Sequence, residues 1–180
     1  MRFVHRERGA TTQKGAEKMA LCRVEISNIY VDQNTGSPVV ILEDPQSGNM
    51  LPILIAPLEA SLIAIELEGK KPIRPLSHDL MLNILKELNW SVESIIVDDL
   101  KNNIFYAKLV LFSDIGRVEV DSRPSDAIAL ALRAKAPIYV RKKVFALALG
   151  IENIAKGIDK DMLKDLLEDL EIDDVGGKIM

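Results

Sequence analysis

One cysteine, Cys22, is all that 180 residues contain, so no disulfide can close within the chain, and no second Cys or neighbouring His offers it a zinc site. Aromatic side chains make up only 4% of the sequence against 48% hydrophobic residues, so the core must be built from Leu, Ile, Val and Ala. The scarcity also argues against a strand surface on which unpaired bases stack, and hence against sequence-specific reading of nucleic acid. A broad basic face is missing too, the formal net charge being -4. No stretch approaches the roughly 18 uncharged apolar residues of a membrane span, and the charged residues 1–18 lack a secretory apolar run, so the expectation is a cytoplasmic protein with no membrane partner. There is no phosphate-binding glycine loop, no dinucleotide fingerprint, no HExxH and no GxSxG.

What is present reads as one α+β domain over residues 19–157, with a flexible arm or extended start at 1–18 and an acidic amphipathic helix and tail at 158–180. Residues 21–31 alternate as a half-buried strand. The turns DQNTGS and DPQSGN separate PVVIL from MLPILIA, giving three antiparallel strands, with Pro52 placing the third at an edge or a bulge. A helix follows from Pro57, with Leu58, Leu62 and Ile65 at helical spacing. Another begins at Ser77, with Leu76 and Met81 spaced as a staple and Met81, Leu85 and Leu88 as its buried stripe. Residues 92–98, 104–112 and 117–121 read as strands, followed by a helix from about Ser125, the short strand PIYV and the helical KVFALALGI. The segments PLEASLIAIELEGKKPI and PSDAIALALRAKAPI echo each other at an offset of 67 residues, each after three strands. They suggest two strand-strand-strand-helix units on a mixed, largely antiparallel sheet, with Glu59 and Asp126 equivalent.

The chemistry-bearing residues gather at the helix starts. RPLSHDL and DSRPSDAI each place Arg-Pro before a Ser cap and an acid in the first turn. Capping explains Ser77 and Ser125 as acceptors for first-turn amides and Asp79 and Asp126 as partners of the helix dipole. It leaves Arg74 and Arg123, both unfavourable at a helix N-terminus unless they meet an anion, and His78, whose ring the dipole keeps neutral and available as a base. Asp121 at a strand end and Asp126 at the next helix start can converge, with Asp79 or Glu59, on a hard divalent cation, while the arginines take phosphate oxygens. Both readings stand at this point. The run Arg133, Lys135, Arg141, Lys142, Lys143 contains no acid, while 159–174 sets eight acids against two lysines and carries the apolar stripe Met162, Leu163, Leu166, Leu167 and Leu170.

RPLSHDLMLNIL, FYAKLVL and above all DSRPSDAIALALRAKAPIYV resemble the bifunctional nuclease domain family, with LPILIAPLEASLIAIELEGK matching that family's first helix region. The resemblance runs from about residue 21 to about 145, with Ser77 where the family carries Thr. It implies an α+β fold, homo-oligomers, and cleavage of DNA and RNA without strong sequence preference. On that footing Asp121 and Asp126, with Asp79 or Glu59, would hold Mg²⁺ or Mn²⁺, and His78 would be the general base. Arg74, Arg123, Arg133, Lys135, Arg141 and Lys142 would bind phosphates, and Ser125 would join His78, Asp79, Asp121, Arg123 and Asp126 in the catalytic set. The rival expectation is a non-catalytic homo-oligomeric module whose Arg-Pro-Ser-Asp turns bind a phosphorylated ligand or a partner protein.

Overall fold

A computed structural model describes residues 20–155 except Asn34, with the side chains of 150–155 left aside; the arm at 1–18 and the acidic helix at 158–180 lie outside the described residues. The described chain runs β1 (Leu21–Val31), β2 (Pro38–Glu43), β3 (Met50–Leu54), α1 (Pro57–Leu67), α2 (Ser77–Glu87), β4 (Ser91–Lys101), β5 (Ile104–Ser113), β6 (Gly116–Ser122), α3 (Pro124–Ala134), β7 (Ile138–Arg141) and α4 (Lys142–Ala155). The strands form one α+β sheet in the order β3-β2-β1-β7-β4-β5-β6. Every neighbouring pair is antiparallel except β4 with β7.

Two meanders, β1-β2-β3 and β4-β5-β6, flank the short β7, and each leads on to a helix opening with proline at its first position, α1 after Ile55 and Ala56 and α3 after Arg123. This is the pair of strand-strand-strand-helix units expected from the 67-residue echo. Because β1 is antiparallel and β4 parallel to β7, the two meanders run in opposite directions. Pro52, which has no N–H to donate, sits in the edge strand β3. Asn102 and Asn103 both take positive φ, the backbone that closes a tight β4-β5 hairpin with the right twist.

The core lies between the meanders and α1 and α3, with Val40, Leu42, Leu51, Ile63, Ile95, Val97, Ile128 and Val140 fully buried. Two helix faces depart from the expected ones. Leu58 is exposed while Ile63 is buried in α1. In α2 the inward face is His78, Leu82 and Leu85, whereas Met81 and Leu88 face solvent with Leu80 and Ile84. The helix begins one residue earlier relative to its cap than the sequence suggested, which removes the Leu76–Met81 staple and leaves the apolar residues on the outer side unpartnered among the described residues.

Candidate functional site at three helix N-termini

The first turns of α1, α2 and α3 meet at one place, joined by side chains rather than by backbone. Their N-caps are Ala56, Leu76 and Arg123, all with extended backbone, so Ser77 is the first helical residue and Ser125 the second. Neither serine is the cap. Pro124 takes the first helical position of α3, which moves the cap back to Arg123 and draws Ser125 into the core, where it is buried.

This frame places Glu59, Asp79 and Asp126 at the same position, the third residue of their helices. Two of them are caps. Glu59 Oε2 accepts from the Ala56 amide at 2.9 Å, and Asp79 Oδ2 from the Leu76 amide at 2.7 Å. Asp126 instead turns outward along a side-chain chain: Oδ2 accepts from Arg123 Nε at 2.8 Å, and Oδ1 lies 3.3 Å from His78 Nε2. Arg123 reaches on to Glu59 Oε1 through a terminal nitrogen at 2.6 Å. The line Glu59–Arg123–Asp126–His78 thus crosses the N-termini of α1, α3 and α2. Arg123 finds its anions inside its own chain, which resolves its awkward place at a helix N-terminus.

The environments along this line differ sharply. The Arg123 side chain is 67% exposed, that of Asp126 is 32% exposed, and His78 is buried. Burial pushes the Asp126 carboxyl up, but the hydrogen bond and charge of Arg123, with His78, outweigh it and hold the group below its ordinary range. The hydrogen bond to Asp126, then its charge and that of Glu59, hold the proton on Arg123 still more firmly. With Asp126 ionised, His78 must donate from Nε2. That leaves His78 Nδ1 buried without a hydrogen-bond partner among the described residues, a penalty of about 1–3 kcal/mol that ordinary packing avoids.

Because the folded-state value of Asp126 is depressed, the stability it contributes is present above the usual aspartate range and fades as pH falls through the folded-state value. Wild type should therefore lose thermal stability faster than Asp126→Asn between about pH 5 and about pH 3. Parallel melting curves over that window check this; curves with identical pH slopes would mean that Asp126 is unperturbed.

The remaining expected residues separate into several groups. Arg133 is not on the surface. Its side chain is 4% exposed and lies between three helices, with Nε 3.1 Å from Asp79 Oδ1 and terminal nitrogens donating to Ala129 O at 3.0 Å and Leu62 O at 3.2 Å. Arg141 is paired with Asp98, and Lys143 with Asp99 at 3.0 Å. Lys135, which closes α3 in the left-handed conformation, and Lys142 are the exposed cations of the run. Arg74 is exposed in the loop before α2.

Asp121 is exposed near the end of β6, opposite Lys108, and shares no hydrogen bond or ion pair with the Asp126 line. Strand alternation sets its direction, whereas Asp126 points back from a helical turn. Asp79 and Glu59 already accept a backbone amide and an arginine each. Among the described residues no group of three or more His, Cys, Asp or Glu is placed to hold a metal ion. The donor set expected for Mg²⁺ or Mn²⁺ does not fit a resident cation. Sequence spacing missed the His78–Asp126 link and the burial of Arg133. The second had a readable signal, since Asp126, Ala129 and Arg133 recur on one helical face.

A family model described as the bifunctional nuclease domain matches residues 40–153. An uncharacterized protein of Mycobacterium tuberculosis is 39% identical over 125 residues, 69% of this chain and 74% of its own length. Bifunctional nuclease 2 of Arabidopsis thaliana is 28% identical over 110 residues, 59% of this chain and 33% of that protein. Bifunctional nuclease 1 of Oryza sativa subsp. indica is 24% identical over 110 residues, again 59% of this chain and 33% of its own length.

Proposed function

The chain belongs to the bifunctional nuclease domain family, and on that premise we propose that it cleaves phosphodiester bonds of DNA and RNA at the junction of the α1, α2 and α3 N-termini. The observation that carries this reading is the behaviour of Asp126. It stands at the helical position where Glu59 and Asp79 are caps, yet its oxygens go to an exposed arginine and a buried histidine.

Three helix N-termini and Arg123 favour an anion at this place. A phosphate that engages the Arg123 guanidinium competes with Asp126 and Glu59 for it. As Arg123 turns to the phosphate, its hold on Asp126 weakens and the carboxylate becomes a stronger base, next to the phosphorus that an attacking water must reach. Asp126 then takes the proton of that water as the water oxygen bonds to phosphorus and one P–O ester bond breaks, the departing alkoxide taking its proton from solvent; this is the role that the sequence reading expected of His78. His78 is a positioning residue, holding Oδ1 while Oδ2 is released. Arg74, Lys135 and Lys142 are exposed to meet flanking backbone phosphates, which weakens binding as salt rises.

The test is degradation of supercoiled plasmid and single-stranded RNA by identically purified wild type and Arg123→Gln, each with and without EDTA. Wild type should degrade both substrates and retain most of its activity in EDTA, while Arg123→Gln falls by about 10²-fold. Activity abolished by EDTA would replace this reading of the base with a cation brought in by the substrate. Equal rates in both proteins would remove the site.

One observation favours a non-catalytic reading: His78 has Nδ1 buried and Nε2 turned to Asp126, so no imidazole nitrogen faces a substrate. In that reading wild type binds nucleic acid or a phosphorylated ligand through Arg123 and degrades nothing. We assign the protein as a cytoplasmic homo-oligomer; the uncovered apolar residues Leu80, Met81, Ile84 and Leu88 of α2 support the assembly.

A further inference from the structure

Arg123 meets its anions within the chain, but Arg74, just ahead of α2, does not. It is exposed, and no hydrogen bond or ion pair joins it to another described residue. A cation before a helix N-terminus is unfavourable without an anion. Glu87, the last residue of the same helix, has the opposite fault: it is an exposed acid at the negative end, again with no partner among the described residues. Each charge stands at the wrong end of its own helix, and each would stand at the right end of an antiparallel neighbour.

Between these two charges runs an apolar stripe. Leu80, Ile84 and Leu88 recur every four residues with Met81 beside them, all between 47% and 63% exposed, and Ile73 in the loop ahead of the helix is fully exposed. No charge interrupts the stripe. A contiguous apolar band on the outer face of a helix marks a contact surface, whereas single exposed apolar residues do not.

We infer that this face of α2 binds the same face of a second copy across a two-fold axis, the two helices lying antiparallel. A two-fold contact must be complementary to itself, and this one is. With the axis level with Leu82, Leu80 of each copy faces Ile84 of the other, and Ser77 faces Glu87 of the second copy. Leu88 then reaches the level of Leu76, where the loop bearing Ile73 arrives. Glu87 comes to the positive end of the neighbouring α2. Arg74 lies three residues before Ser77, at most about 10 Å from it along an extended chain, a gap that an arginine and a glutamate side chain close together. Two Arg74–Glu87 pairs thus bracket an apolar centre, the usual layout of a protein interface. An unrelated partner would need an acid at one end and a base at the other in register with the stripe; a second copy supplies both by symmetry.

This pairing rests on the homo-oligomer assigned above and not on the phosphodiesterase chemistry, which it touches at one point. A guanidinium has five N–H donors, so Arg74 held by Glu87 of the second copy keeps an edge free for a backbone phosphate. Each copy then orients a phosphate-binding arginine of the other.

Sedimentation equilibrium on the full chain tests the pairing. Wild type should form a dimer. Ile84→Glu sets two like charges beside the axis at an exposed position, so it should stay folded by circular dichroism while raising the dimer dissociation constant by about 10²-fold or more. Arg74→Glu and Glu87→Arg should each weaken association by about tenfold, and the double reversal should recover most of the loss, as residues that act only within one copy would not. A wild type that stays monomeric would remove both the pairing and the homo-oligomer. A wild-type oligomer that Ile84→Glu leaves intact would overturn the pairing alone, since the assembly would then use another surface. Failure of the double reversal to recover association would overturn the antiparallel register.

Discussion

Asp126→Asn should lower nuclease activity by about 10²- to 10⁴-fold while moving the melting temperature by no more than a few degrees. The size follows from removing the base proposed above, and the small stability effect from the nearly equal shape of Asn, whose amide still meets His78 and whose loss of charge leaves Arg123 its pair with Glu59. The helix frame provides its own control. Asp79→Asn makes the same chemical change at the same helical position, but Asp79 caps Leu76 and pairs with Arg133, so its replacement should lower stability first. Measuring rates on plasmid and RNA beside thermal melts separates the two. If Asp126→Asn and Asp79→Asn lose stability alike, and Asp126→Asn loses activity only in proportion, then Asp126 is one more cap and the chemistry lies elsewhere.

Arg133→Met should destabilise the fold by about 3–5 kcal/mol, which corresponds to a fall of about 10 °C or more in melting temperature. Arg133 is a cation almost without solvent, held by a carboxylate and two carbonyl oxygens from α1, α2 and α3. Met fills much of the volume but leaves Asp79 without its partner and the carbonyl of Leu62 without a donor from this side chain. The consequence extends to the site, because Asp79 fixes the first turn of α2 and the next residue back is His78. Activity should fall with stability, and Arg133→Lys should recover part of each, since an ammonium can meet Asp79 but not all three acceptors. Urea unfolding checks the prediction. A change below about 1 kcal/mol would mean that Arg133 acts as a surface cation, as its place in a basic run suggests, and Lys135→Gln provides that surface comparison.

The sequence determined the local pieces because each rests on a short-range cause. Pro57 and Pro124 set helix starts, paired asparagines set a hairpin, and period-two alternation set the strands of both meanders. The 67-residue echo even carried the pairing of Glu59 with Asp126 as equivalent helical positions. The sequence also drew attention to the helix-start turns that hold Glu59, Asp79, Arg123 and Asp126. It did not separate caps from chemistry, since Glu59, Asp79 and Asp126 look alike when read along the chain, nor did it tell a buried arginine from a solvated one. Those distinctions belong to contacts across 48 residues, from His78 to Asp126, and across 54, from Asp79 to Arg133. Only the packing of α1, α2 and α3 on the sheet brings such groups together, and there burial and a choice of hydrogen-bond partner, not residue type or spacing, decide what a carboxylate does.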